Sequence, residues 1–271
     1  MLEVGSGTAL TSVLLAERGL QVQAIDPAPS MLTLTRQHAA RAGVGSRVHV
    51  TRGDVHALPY ADATFCLVLA LGVVPWLHSA STAVQEMVRV LQPGGHLLLN
   101  ADNRARLNHL VDPRFNPVLE PARQAAKRTL VTLGLRRPVD RPLATFHRLD
   151  EFDRLITLAG LERVAGLTYG FGPFTLLGRE MLPPEAGVKL HGWLQRLAER
   201  KLPVLRSTGA QYLVLARKPS SAVGEGDGGL VHDCCDGAQD RGVVRGSTAR
   251  AAASRGLGGH HLVALHSRTP H

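Results

Sequence analysis

Cysteine is scarce. The 271 residues hold three, two of them adjacent (Cys234 and Cys235), which makes no disulfide framework. Aromatic residues are only 4% of the chain, and no binding motif accompanies its basic residues, so specific nucleic-acid readout is not expected. Long apolar runs are missing too. The longest, Phe65 to Leu77, is interrupted by Pro75 and falls short of the roughly 20 residues a bilayer span needs. The N-terminus MLEVGSGTAL lacks the basic-then-apolar order of a signal peptide. A soluble, cytoplasmic protein is the default expectation.

Apolar residues make up 44% of the chain and its mean hydropathy is +0.01, enough for a sizeable core. The length suits one large α/β domain or two small ones. Net charge is +9. From Pro219 onward five arginines meet five acids, so the whole excess lies in residues 1–218. Much of it sits in 104–148, with ten Lys or Arg against Asp112, Glu120 and Asp140. Such a segment either favours an acidic substrate, membrane surface or nucleic acid, or forms a solvated helical face.

Residues 1–103 alternate strand-like and helix-like segments. MLEV, VQAID (22–26), RVHVTRGD (47–54), Phe65 to Val73 and GGHLLLN (94–100) read as strands. Thr11 to Arg18, Ser30 to Ala42 and Ser81 to Leu91 read as helices. Ser30 is a plausible N-cap, and Gly19 and Gly43 are stops. This alternation implies a parallel sheet with right-handed crossovers. Residues 104–148 read as a helical, proline-punctuated insertion. Asp150 opens a short helix closed by Gly160, and LERVAGLTY (161–169) is a strand. A second insertion, 170–209, carries an amphipathic helix around 186–201, and QYLVLARK (211–218) is the last strand. The domain is therefore expected to span 1–218. Residues 219–271, rich in glycine and without periodicity, read as a disordered tail.

The strongest chemical signal is Glu3-Val4-Gly5-Ser6-Gly7-Thr8-Ala9 between a strand and a helix. Glycines let the backbone turn sharply and a ligand approach closely. The free N–H groups of the following helix add a polar rim. Asp26 ends the second strand, 21 residues after Gly5, near the spacing of about 20 at which a Rossmann acid meets ribose hydroxyls. A dinucleotide fold wants a small residue at the sixth motif position, where this chain has Leu10. Asp54, after Gly53, could accept a hydrogen bond from an exocyclic amine such as that of adenine, or simply cap a turn.

Read together, these pieces resemble the class I S-adenosylmethionine-dependent methyltransferases, of the type that includes the ubiquinone/menaquinone methyltransferases. The matching pieces are LEVGSGTA (2–9), AIDPAPSML (24–32), GDVHALPYADATF (53–65), LVLALGVVPWLH (67–78) and EMVRVLQPGGHLLL (86–99). The resemblance implies a Rossmann-like, mostly parallel sheet with helices on both faces and an antiparallel last strand. It implies S-adenosylmethionine as cofactor, with Glu3, Gly5, Ser6 and Gly7 lining its methionine part. Asp26 would hold the ribose, Pro27 and Met31 would face the adenine, Asp54 and Val55 would read the adenine edge, and Leu71 would close the pocket with its backbone. Cys66 replaces a frequent aspartate and is expected to be a buried small residue. Ala9 replaces a third glycine. The chain begins inside the first strand, so it is expected to be N-terminally truncated relative to the family.

Methyl transfer from a sulfonium needs alignment above all. A base is needed only for a weakly acidic or protonated acceptor, so the catalytic residues stay unassigned. His78 is the best base candidate, ahead of His147 and Tyr169. His232-Asp233-Cys234-Cys235-Asp236 lacks the spaced pairs of a metal site, and no metal is expected. The helix near 186–201 groups Leu190, Trp193, Leu194 and Leu197, either packing on the domain or forming a lid or membrane-surface helix for a lipid-like acceptor. The expected partner is a small or lipid-like molecule, anionic if the basic insertion binds it. A nicotinamide-dependent oxidoreductase and an inactive methyltransferase remnant are the rival readings.

Overall fold

The computed structural model describes residues 1–134, 145–172, 174–177, 179–200, 202, 205 and 207–220. The expected tail beyond residue 220 and the 232–236 cluster lie outside the described residues.

Seven strands form one sheet: β1 (Leu2–Val4), β2 (Val22–Asp26), β3 (Val48–Arg52), β4 (Phe65–Ala70), β5 (Leu91–Asp102), β6 (Glu162–Tyr169) and β9 (Gln211–Arg217). Their order is β3-β2-β1-β4-β5-β9-β6. The pairs among β1 to β5 are parallel, and β9 runs antiparallel to both its neighbours. The last strand is thus the antiparallel one, as expected. A small hairpin, β7 (Thr175–Leu176) with β8 (Arg179–Glu180), stands apart from the sheet.

Helices α1 (Leu10–Glu17), α2 (Pro29–Arg41), α3 (Ala80–Val90) and α6 (Leu149–Leu158) cover the two faces. Side chains alternate across a strand, and the core divides accordingly. Val22 and Ala24 pack with Ala16 and Ala39, under α1 and α2. Ile25 points the other way, into the cluster of Met87, Leu97, Phe152 and Ile156 under α3 and α6. Burial on both faces explains why β4 and the middle of β5 read as continuous apolar runs.

Several boundaries differ from expectation. Ser30 does not cap α2: Pro29 takes its first turn, where a fixed φ suits the helix, and Asp26 Oδ1 accepts the Ala28 N–H at 2.9 Å. Helix α3 starts one residue before the expected Ser81, at Ala80, capped by Ser79, which accepts from Thr82 N–H. Helix α6 starts at Leu149 rather than Asp150, with the Arg148 N–H donating to Glu151. Strand β4 stops at Ala70, not Val73, because Gly72 takes φ +74° and Val74–Trp76 coil into a short 3-10 turn. Cys66 is half-buried rather than buried.

The two insertions hold α4 (Leu107–Val111), α5 (Glu120–Thr132) and α7 (Pro184–Glu199). Helix α5 buries no residue. Helix α7 packs through Leu190, Leu194 and Ala198 against Phe171. Trp193 was expected on that face but is exposed: at 100° per residue it falls to the flank of the Leu190–Leu194 stripe.

Candidate functional site

The chain runs outward from β1 through β2 to β3, then returns to build β4 and β5 on the other side. A crevice opens at such a switch point, beyond the carboxyl ends of the strands. Here it is a cleft of about 340 Å³ walled by Gly5, Asp26, Pro27, Asp54, His56 and His78 among others, a size suited to a small organic ligand.

Its first wall is the turn after β1. Gly5 has φ +62° and its N–H donates to Ile25 O at 2.8 Å. A Cβ on Gly5 would sit 2.5 Å from Val73 Cγ2, so only glycine lets the two loops meet. Gly7 has φ +51°, and its N–H donates to Asp26 Oδ2 at 3.0 Å. The Asp26 carboxylate, at the end of β2, thereby ties this turn to the start of α2. Each of its oxygens accepts one backbone N–H and keeps lone pairs for a ligand. The Ser6 hydroxyl is buried in the turn with no partner among the described residues. Ala9, where the resembled family has glycine, is held at φ +57°.

The second wall is the loop after β3. Asp54 accepts from the His56 N–H at 2.9 Å, and its Oδ1 lies 2.6 Å from His56 Nδ1. These contacts, the backbone one foremost, hold its carboxyl below the usual carboxylate range. The His78 ring stacks on His56 with centroids 3.6 Å apart. Arg89 of α3 anchors the loop from behind: it donates to Leu58 O and Tyr60 O and pairs with Glu86 and Asp62.

The third wall is the segment after β4, with Gly72 and Val73. Gly72 N–H donates to Asn100 Oδ1 at 2.6 Å. Asn100 Nδ2 in turn donates to Gln211 Oε1 at 2.8 Å and to the Tyr169 hydroxyl at 3.2 Å, and Tyr169 also donates to Gln211. Burial pushes the Tyr169 phenol up, so it serves as a neutral hydrogen-bonding group.

Of the residues singled out in the sequence, Gly5, Asp26, Pro27, Asp54 and Val55 line the cleft. Gly7 and Ser6 stand in its turn. Glu3 does not reach the cleft wall: it is buried and accepts from the Ser12 hydroxyl, and burial raises its carboxyl above the usual value. Met31 and Leu71 flank the cleft without lining it. His78 stands at the Asp54 end, against His56, and not at the glycine turn. His147 packs beside Phe152, with its backbone bonded to Asp102 and Arg104. Sequence reasoning missed His56, Trp76 and the Asn100–Gln211 pair. His56 was legible only as the second residue after an Asp, the position that closes a side-chain turn. Leu10 is exposed, so its size does not bear on helix–strand packing in this chain.

Among the described residues, no basic side chain of the insertion lines the cleft. Arg123 donates to Pro113 O and Asn116 O and pairs with Glu120. Arg106 lies over the Phe146 ring and donates to His109. Arg114 donates to Leu177 O. These side chains brace the insertion itself.

The cleft thus joins a glycine turn to acids at the end of β2 and just after β3, in an open α/β sheet with one antiparallel strand. Residues 2–99 match the family described as "Methyltransferase domain". Over that segment the chain is similar to methyltransferases. Similar curated proteins include a malonyl-[acyl-carrier protein] O-methyltransferase of Serratia marcescens, 34% identical over 41% of this chain and 42% of that one. Another is a ubiquinone biosynthesis O-methyltransferase of Azorhizobium caulinodans, 32% identical over 38% and 40%. The chain matches less than half the length of these relatives. Among solved structures, geranyl diphosphate C-methyltransferase from Streptomyces coelicolor A3(2) has a TM-score of 0.51 at 12% identity, covering 80% of this chain and 71% of that one. The [4+2]-cyclase SpnF has 0.51 at 18%, covering 81% and 74%. Such likeness establishes the fold alone. None of these similarities favours a nicotinamide-dependent oxidoreductase.

Proposed function

We propose that the protein transfers the methyl group of S-adenosylmethionine to a small or lipid-like acceptor. The observation that carries this reading is the single cleft that joins the Gly5–Gly7 turn to Asp26 at one wall and Asp54 at another. The residues fit the cofactor. Asp26 can accept from a vicinal diol, Asp54 from an exocyclic amine, and the orphaned Ser6 hydroxyl offers a polar contact in the turn. Pro27 and Val55 supply apolar faces for a purine ring, with Met31 beside them. Leu71 and Gly72 border the acceptor side through their backbone, and Glu3 supports the turn from the end of β1 by accepting from Ser12 of α1.

The cofactor supplies an already activated methyl carbon. The task left to the protein is to hold the nucleophile close and in line. No general base is assigned, because His78 sits with His56 at the Asp54 end. In the same reading 1–218 is the working domain, with both insertions shaping its acceptor side, and the enzyme acts in the cytoplasm, where three unframed cysteines are at home. Contact with a lipid surface is supported by exposed Val188 and Trp193 on α7; among the described residues no helix is long and apolar enough to cross a membrane.

Calorimetry of the full chain with S-adenosylmethionine and S-adenosylhomocysteine tests the reading. Saturable binding, weakened at least tenfold by Asp54→Ala, is the expected result. Absence of binding at millimolar ligand would leave the inactive-remnant reading instead.

A further inference from the structure

A second cavity, of about 360 Å³, lies where the chain leaves β6. It is lined by Gly170, Phe174, Leu182, Gly187, Val188 and His191 among others. A neighbouring void of about 280 Å³ shares Phe174 and Leu182 with it and adds Val111, Leu176 and Met181. The walls are those of an apolar ligand site: aliphatic and aromatic side chains with few polar groups.

Those polar groups are specific. His191 Nδ1 accepts the Phe171 N–H at 3.1 Å, so the ring proton sits on Nε2 and His191 has a donor left to offer. Among the described residues the only charged one lining either void is Glu180, and no Lys or Arg lines them, so an anionic group would meet repulsion without compensation from these walls. The cavity also has a definite place in the fold. Gly170 follows Tyr169, the hydroxyl partner of Asn100, and Asn100 holds Gly72 at the edge of the first cleft. Ala210 N–H donates to Gly170 O at 2.6 Å, fixing this strap beside Gln211. Both cavities therefore open at the carboxyl edge of the sheet.

We infer that the cavity between α7 and the β7–β8 hairpin binds an uncharged apolar molecule bearing a hydrogen-bond-accepting oxygen. Resting on the methyl-transfer reading, this molecule is the methyl acceptor or its apolar portion. The oxygen accepts from His191, and the hydrocarbon runs past Phe174 toward Met181. The anionic acceptor suggested by the basic insertion is replaced by a neutral one.

The test titrates the full chain with 1-butanol, 1-hexanol, 1-octanol and octanoate, with and without saturating S-adenosylhomocysteine. Affinity should rise about fourfold per added methylene, and octanol should bind more tightly than octanoate. Gly187→Leu should abolish the chain-length dependence. A Cβ there meets nothing within 4 Å, so the fold should accept it. Val188→Trp, at an exposed position of the same wall, should weaken octanol binding as well. An absence of chain-length dependence, octanoate binding as tightly as octanol, or both variants behaving as the native chain would overturn the inference. S-adenosylhomocysteine binding is read separately. If it binds and the alkanol series is flat, the cavity assignment fails while the methyl-transfer reading stands. If the alkanols show the series and the nucleoside never binds, the cavity stands and methyl transfer fails.

Discussion

The two halves of the sheet build their cavities from different materials. The cleft at β1, β2 and β4 is made largely from backbone: positive-φ glycines, N–H groups and short turns, fixed by two carboxylates at strand ends. The cavity beyond β6 is made from side chains brought together by α7 and a small hairpin. The first needs particular residues at particular positions, which is why residues 2–99 match a known family. The second needs only apolar volume and one oriented imidazole, which many sequences can supply. The first cavity is thus written locally, whereas the second depends on packing.

The sharpest way to break this contrast is Asp26→Ala. The substitution strands the partly buried Gly7 and Ala28 N–H groups, and each stranded donor costs about 1–3 kcal/mol. Urea unfolding should show a loss of about 3 kcal/mol, and calorimetry a loss of nucleoside binding. An equal removal beyond β6, His191→Ala, should cost about 1 kcal/mol and leave nucleoside binding intact.

Gly5→Ala should follow, at about 2 kcal/mol. It combines an unfavourable φ of +62° with a 2.5 Å approach to Val73. The double variant with Val73→Ala should recover part of the clash in a thermal melt but not the backbone cost. Full recovery would mean that the turn's conformation matters less than its packing.

The halves should also answer pH in opposite senses. Burial raises the Glu3 carboxyl, so the stability it contributes is complete below about 4.5, its unfolded value, and is lost as pH rises through the raised folded value. Glu3→Gln should therefore gain on the native chain as pH increases. In the first insertion burial and the Arg106 guanidinium push His109 down to about 4. The stability it contributes is present above about 6.5 and is lost as pH falls toward 4, at no more than about 1.4 kcal/mol per pH unit. His109→Phe should flatten that limb of the stability–pH curve.

The smallest effect belongs to Lys127→Glu with Arg128→Glu. Both residues are exposed on α5, and neither lines a cavity described above. Stability should stay within about 0.5 kcal/mol, and turnover and its salt dependence should not change. A marked change in salt dependence would restore an electrostatic role for the basic insertion.

Strand alternation, the glycine turn and the 21-residue step to Asp26 are short-range features; the first carried the fold class from the sequence by itself, and the structure brings Gly5 and Asp26 to one cleft. Local chemistry also placed the helix stops, since Gly19, Gly43 and Gly160 all take positive φ. Other features required the tertiary structure. Glu3 turns into α1 because the Ser12 hydroxyl offers it a buried partner, and no spacing rule foretells that choice. Trp193 is exposed because α7 seats Leu194 and Ala198 instead. Asn100, Tyr169 and Gln211 meet across separations of 69 and 111 residues. Such contacts are set by how strands pair, in particular by β9 inserting between β5 and β6. The sequence therefore determined the glycine turn and the strand-end acid of the first cleft, because neighbouring residues encode them. Only the tertiary structure decided what lines the cavity beyond β6, because that surface exists only after distant segments have packed.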